Sequence, residues 1–397
     1  MGRFQEYVSQ KEKAKLPVIS KIKLNRAPGA EDFQPFTIDK NNHPNLRLLV
    51  KAFENSSQIG VGYTTVDKNN GEIEPKLKKK TLYLTGGAVR DHLKGKTPRN
   101  YDLVTDATPS EIKLILKGNG FEEGRDARSN KSFFASRFDG KNKPIEFAVI
   151  INGEIFELSP LSKSFKNRQS NVSDFSTSSE LEDDAAGRDF TINAMYIPLK
   201  NSEGDNTELL DVYGGAHHLK NGQIVSIGKF SQRVKDDPTT AHRYIRMQSR
   251  YGNNDIPDDH LDSIASINDL NKNYKKEYVY GLEHPDINYK KYLKMYKDSG
   301  LINTVYPATN LSTEDIPERA LGDRFFTSAW ILKDNPVEQA KFALMSAGWD
   351  PREAEDIAHL ISMYQAYKNN YEHPMSPCGL TDNKVNRWKK IYIRSSW

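Results

Sequence analysis

One cysteine in 397 residues, Cys378, excludes an intrachain disulfide framework and a thiolate zinc cluster. No run approaches the ~20 apolar residues that a membrane-crossing helix requires. Met1 to Leu16 is charged rather than signal-like, so the expectation is a cytoplasmic chain with no membrane partner. Charge of one sign is also lacking. Lys and Arg number 57 against 53 Asp and Glu, which leaves a net charge of +4 and permits a polyanionic partner without requiring one. A P-loop is absent as well: "GKT" at Gly95–Thr97 tempts, but Arg90 stands where that motif needs a glycine. What remains is a polar, foldable chain, 37% hydrophobic and 10% aromatic, with a mean hydropathy of -0.72. Its length suggests two or three domains.

Residues 1–40 are charged and proline-punctuated and read as an N-terminal extension. Helical spacing begins at Pro44, "TLYLT" reads as a strand, "AVRDHLKG" as a short helix and "PSEIKLILKGNG" as a capped helix. Three strand-like runs follow, "KSFFASRFDG", "PIEFAVIING" and "EIFELSPL", with Asn152-Gly153 as a hairpin turn. The serine-rich stretch 162–180 predicts a loop, "LEDDAAGRDFTINAMYIPL" a new helix, and "QIVSIG" a short strand. From there the pattern is helical to the end. Basic runs at Lys76–Lys80 ("KLKKK") and Arg387–Arg394 ("RWKKIYIR") each read first as solvated faces, although the second interleaves aromatics as RNA surfaces do.

Two local patterns bear on chemistry. Gly86 and Gly87 lie between a strand and a helix, where a tight turn is the commoner reading and a phosphate cradle the functional one. In "NYDLVTD", Asn100 and Asp102 are two apart and share a strand face. Two carboxylates so spaced would suit paired Mg²⁺ ions, yet only one is a carboxylate.

Five segments in order carry a resemblance. "LTGGAVRDHLKGKTPRNYDLVTDATP", "FAVIINGEIFELSPLSK", "EDDAAGRDFTINAMYIPL", "LLDVYGGAHHLKNGQIVSIG" and "RVKDDPTTAHRYIRM" resemble the motifs of the class II CCA-adding enzymes and bacterial poly(A) polymerases, in the polymerase-beta-like nucleotidyltransferase superfamily. The match spans about residues 81 to 250. It implies an α+β fold, with a head of mixed sheet and helices over residues 41–230, a neck helix over 231–255 and an all-α, RNA-binding body over 256–397. The implied activity is template-independent addition of nucleotides from ATP or CTP to an RNA 3′ end, a tRNA end being named first, with two Mg²⁺ ions.

Carried over by position, the resemblance makes Gly86, Gly87, Arg90, Asp91, Arg188, Asp189 and Asn193 nucleotide contacts. Asp102 and Glu157 become metal ligands, with Asn100 as a weak third and Glu146 as the alternative to Glu157. Asp237, Thr240 and Arg243 become the base-reading positions. The spacing of Asp189 and Asn193 independently suggests one helix face. The sequence departs from the family pattern at four places. Asn100 replaces a metal-binding aspartate, Thr240 a base-reading arginine, Ser162 the arginine after the third carboxylate strand, and Gly187 the first arginine of the ribose motif. Each change removes charge, so a catalytically weakened RNA-binding relative, a poly(A) polymerase and transfer to a non-RNA acceptor all stay open.

Overall fold

The computed structural model of the protein describes residues 20–23, 34–61, 65–67, 71–73, 76–98, 100–124, 132–138, 144–165, 174–178, 180–200, 202–253, 255–267, 272–313, 316–318 and 320–368. Cys378 and the Arg387–Arg394 run lie outside them. Two compact units divide the chain: Met1–Lys220 with Val225–Ile227, and Asn221–Ile224 with Gly228–Trp397. No helix among the described residues is long and apolar enough to cross a membrane.

The first unit is built on a nine-stranded mixed sheet. Its order is Ser20–Lys23, Glu208–Asp211, Met195–Leu199, Leu82–Thr85, Tyr101–Thr105, Glu154–Pro160, Pro144–Ile151, Phe133–Phe138 and Glu122–Glu123. Alternation along the strands sorts the two faces. Tyr101, Leu103, Phe134, Phe147, Val149, Phe156 and Leu158 are buried on one of them. Helix Pro109–Gly118 packs there against Pro144–Ile151 and Glu154–Pro160, and helix Pro44–Glu54 packs against it in turn. A capping box starts the first of these helices, Thr108 and Glu111 exchanging side-chain and backbone hydrogen bonds. The Asn152-Gly153 turn joins its two strands with both φ values positive, 50° and 84°, which is why this dipeptide stands there.

Several expectations are corrected. The stretch 1–40 is not wholly peripheral: Ser20–Lys23 completes the sheet beside Glu208–Asp211, and Phe36–Ile38 pairs with Gly204–Asn206. Both partners lie more than 160 residues away, so local sequence gave no sign of them. Within 162–180, Ser162–Phe165 and Asp174–Thr177 pair as an antiparallel ribbon; their polar composition hides the strand period. "QIVSIG" forms a single bridge, Ser226 to Phe190. The helix after Glu180 stops at Gly187, followed by a 3-10 turn at Thr191–Asn193 and a strand at Met195–Leu199.

Every regular element among the described residues of the second unit is a helix. The expected neck helix is two helices, Phe230–Asp236 and Thr239–Tyr251. Asp237 between them is extended, as a residue before proline tends to be, and Pro238 supplies no N–H to continue the first helix. The core of this unit is rich in tyrosine: Tyr278, Tyr292, Tyr296 and Tyr306 are fully buried with Trp349. His242 is buried among them with Nδ1 2.6 Å from the Tyr296 hydroxyl. Burial, and secondarily the charge of Arg246, pushes its pKa down to about 3.

Candidate active site

A single register row crosses the sheet of the first unit. Tyr196 stands beside Thr85, Thr85 beside Asp102, Asp102 beside Glu157, and Glu157 beside Ala148. Residues in register project from the same face. The two carboxylates expected from sequence, 55 positions apart in the chain, are therefore neighbours on adjacent parallel strands. Glu146 lies on the same face, one pleat from Ala148, and receives an N–H of Arg137 at 2.9 Å. Desolvation raises the pKa of Glu157, the charges of Asp102 and Glu146 raise it further, and Arg137 opposes them. Asn100 is exposed and sits immediately before the Tyr101–Thr105 strand.

The strand Leu82–Thr85 turns directly into helix Gly86–Leu93. Gly86 makes the turn with φ +60°, and a Cβ there would lie 2.8 Å from Asp102 Oδ2. Only glycine satisfies both demands. Gly87 N–H donates to the same oxygen at 3.2 Å, which fixes the carboxylate against the helix N-terminus. On that helix Arg90 is buried and its guanidinium donates to Asn193 Oδ1. The Asp91 carbonyl closes the helix by accepting the N–H of Lys94 and of Lys96.

Arg188, Asp189 and Asn193 do come together, but not on a helix face. Gly187 ends the helix and Arg188 is extended. The chain then turns so that Asn193 Nδ2 donates to Asp189 Oδ1 at 2.6 Å. Arg188 reaches back to Asp184, its Nε and Nη2 at 3.0 and 2.9 Å from Oδ2, and the Tyr196 hydroxyl donates to the same oxygen at 2.8 Å. Burial works against the charge on Arg188, yet Asp184, Tyr196 and more weakly Asp102 outweigh it and hold its pKa above the ordinary value. Asp184, Glu146 and Arg137 were not singled out from sequence as site residues, apart from Glu146 as an alternative. The Asp184–Arg188 spacing of four was the one available signal. Gly215 belongs to the same neighbourhood: a Cβ there would meet the Thr191 carbonyl oxygen at 2.2 Å, and Asp211 accepts its N–H at 2.8 Å.

Asp237, Thr240 and Arg243 lie in the second unit. Asp237 Oδ1 accepts from the Thr239 hydroxyl at 2.6 Å, Thr240 is buried, and Arg243 Nε is 3.7 Å from Glu277, which also pairs with Arg246 at 2.9 Å. Among the described residues no cluster of three His, Cys, Asp or Glu is arranged to hold a metal. Asp102 and Glu157 are instead a two-carboxylate set of hard oxygens. Such a set suits Mg²⁺, which keeps several waters and takes one or two carboxylates beside substrate phosphates.

Residues 82–225 match the Poly A polymerase head domain family. Poly(A) polymerase I of Escherichia coli O157:H7 is 31% identical over 184 residues, covering 43% of this chain and 34% of that protein. The mitochondrial CCA tRNA nucleotidyltransferase 1 of Danio rerio is 30% identical over 208 residues, covering 52% and 41%. The chain thus spans well under half the length of these relatives. Among solved structures, an apo CCA-adding enzyme superposes with TM-score 0.56 at 17% identity over 89% of this chain and 80% of its own. The Thermotoga maritima CCA-adding enzyme complexed with tRNA gives 0.55 at 16% identity over 89% and 79%. At such identities the superpositions speak for the fold, a mixed-sheet head with a helical region after it. The family match is thus confined to residues 82–225, while the likeness in fold extends over 89% of the chain.

Proposed function

We propose that the chain is a template-independent RNA nucleotidyltransferase, extending an RNA 3′ end, a tRNA end in the first instance, with nucleotides from ATP or CTP. The observation that carries this reading is the register pair Asp102–Glu157 beside the turn into helix Gly86–Leu93. The 3′-hydroxyl gives up its proton to solvent as its oxygen forms a bond to the α-phosphorus, the bond from that phosphorus to the bridging oxygen breaks, and pyrophosphate departs with the electron pair.

Asp102 and Glu157 would hold Mg²⁺, with the Asn100 amide oxygen as a neutral third donor. When bound, the ions neutralise phosphate charge and acidify the attacking hydroxyl. The chain's own residues bind and orient. Gly86 and Gly87 let the triphosphate approach the backbone, Arg90 and Asp91 stand on the same helix, and the Arg188–Asp189–Asn193 turn holds the nucleotide through groups already locked by Asp184 and Arg90. Catalysis rests on positioning and charge neutralisation, with no covalent intermediate. Asp237, Thr240 and Arg243 are the base-reading positions of this proposal. The pairing of Arg243 with Glu277 predicts weak discrimination between CTP and ATP.

A second reading, an RNA-binding relative with little catalysis, is favoured by the uncharged, exposed Asn100. One experiment separates the two: labelled ATP and CTP, singly and together, offered with a tRNA lacking its 3′ end and with a generic RNA, for this chain and for Asn100→Asp. Incorporation raised tenfold or more by Asn100→Asp is the expected result, since restoring a carboxylate lowers the barrier by on the order of 1.4 kcal/mol per decade of rate. A CC-then-A pattern marks CCA addition and a run of A marks tailing. No incorporation by either protein while RNA still binds supports the second reading.

A further inference from the structure

Beyond Glu157 the same sheet face continues over two more strands. Ala148 stands beside Glu157, and Ala135 beside Ala148. Both are only half-buried, and the neighbouring Ile155 is 57% exposed. One pleat along, Arg137 stands beside Glu146 and donates to it, while its side chain stays 75% exposed. The carboxylates thus border an open, small-residue floor that ends in a guanidinium.

Direction matters here. The glycine turn and helix Gly86–Leu93 continue from the strand on one side of Asp102, whereas Arg137 lies past Glu157 on the other, so the two flank the carboxylate pair. In phosphoryl transfer the attacking and leaving oxygens lie roughly in line across the phosphorus. With the triphosphate on the glycine side, the nucleophile enters from the Glu157 side. An RNA 3′-hydroxyl brings with it the phosphodiester of its own nucleotide, an anion arriving beside two carboxylates. A cation on that flank removes the repulsion, and neither Ser162 nor Gly187 provides one.

We propose that Arg137 is a positioning residue for the acceptor strand: it pairs with a terminal phosphodiester of the RNA while Ala148 and Ala135 form the floor beneath the terminal ribose. The inference rests on the nucleotidyl-transfer reading above. Glu146 orients the guanidinium until the phosphate competes for it, and the planar fork of arginine suits two phosphate oxygens at once.

The test is steady-state kinetics of the full chain with Arg137→Ala, Arg137→Lys and Glu146→Gln, measuring KM for acceptor RNA and for NTP separately. Arg137→Ala is expected to raise acceptor KM about three- to tenfold with a shallower salt dependence, leaving NTP KM and melting temperature unchanged. Arg137→Lys should fall between, and Glu146→Gln should lower acceptor KM by freeing the guanidinium. An Arg137→Ala protein with wild-type acceptor KM, or with its defect in NTP KM, overturns the inference while leaving nucleotidyl transfer intact. Failure of wild type and Asn100→Asp alike to incorporate any nucleotide overturns the transfer reading itself, and Arg137 falls with it.

Discussion

Gly86 is the residue on which the site turns, because its positive φ and its approach to Asp102 Oδ2 exclude any side chain. Gly86→Ala is expected to cost about 1–3 kcal/mol of stability through backbone strain alone, and to displace the Asp102 carboxylate. Thermal melts with and without ATP and Mg²⁺ check both effects; an unchanged melting temperature and an unchanged nucleotide shift would sink the assignment. Glu157 makes a prediction of opposite sign to that of most carboxylates. Its folded pKa is raised above 4.5 by desolvation and by its acidic neighbours. The folded state therefore binds the proton more tightly than the unfolded state, and stability is full below the unfolded pKa and declines as pH rises through the folded value. Glu157→Gln should accordingly be more stable than wild type near neutral pH without divalent ions and should match it in acid. Urea unfolding across that range decides, and parallel curves at every pH refute it. Asp102 and Glu157 were reached through the resemblance of five ordered segments, because strand spacing alone favours a turn or a solvent-facing carboxylate at each; their adjacency comes from strand pairing. Arg137 was not reached, because what makes it matter is a partner across a strand pair.

At the scale of elements, the instructive case is the segment from Leu181 to Leu199. Asp189 and Asn193 were paired from their spacing of four, and they do meet, through a turn and a 2.6 Å hydrogen bond rather than a helical repeat. Gly187 ends the helix one residue before Arg188, a stop signal readable in the sequence but outweighed there by the apolar residues that follow. The N-terminal strand escaped notice for a different reason: nothing in "SKIK" indicates a partner at Glu208–Asp211. In the second unit, His242 on helix Thr239–Tyr251 predicts acid sensitivity. Its pKa falls from 6.5 to about 3 on folding, so the stabilisation is present above 6.5 and lost as pH falls towards 3, on the order of a few kcal/mol by pH 4. Chemical unfolding of His242→Gln should show a flatter dependence between pH 7 and pH 4; an equal loss in both proteins would exclude His242 as the cause.

For the whole molecule, two units with separate cores predict two calorimetric transitions. The transition of the unit that carries Asp102 and Glu157 should rise on adding ATP or CTP with Mg²⁺, by about 2.7 kcal/mol at a hundredfold excess over Kd. A shift confined to the other transition, or none, would place nucleotide binding elsewhere or deny it. The division into a mixed-sheet half and a helical half was legible, since strand-period and helix-period segments segregate along the chain.

The edge strand Ser20–Lys23 also bears on how the chain is made. Its partner Asp211 is translated about 190 residues later, so at ordinary elongation rates of roughly 5–20 residues per second the strand waits on the order of ten to forty seconds on the ribosome. Throughout that interval its backbone donors and acceptors face water or any other strand within reach. The sheet is completed only after residues 208–211 have left the exit tunnel, which makes the strand earliest in sequence order one of the last of the sheet to take its place.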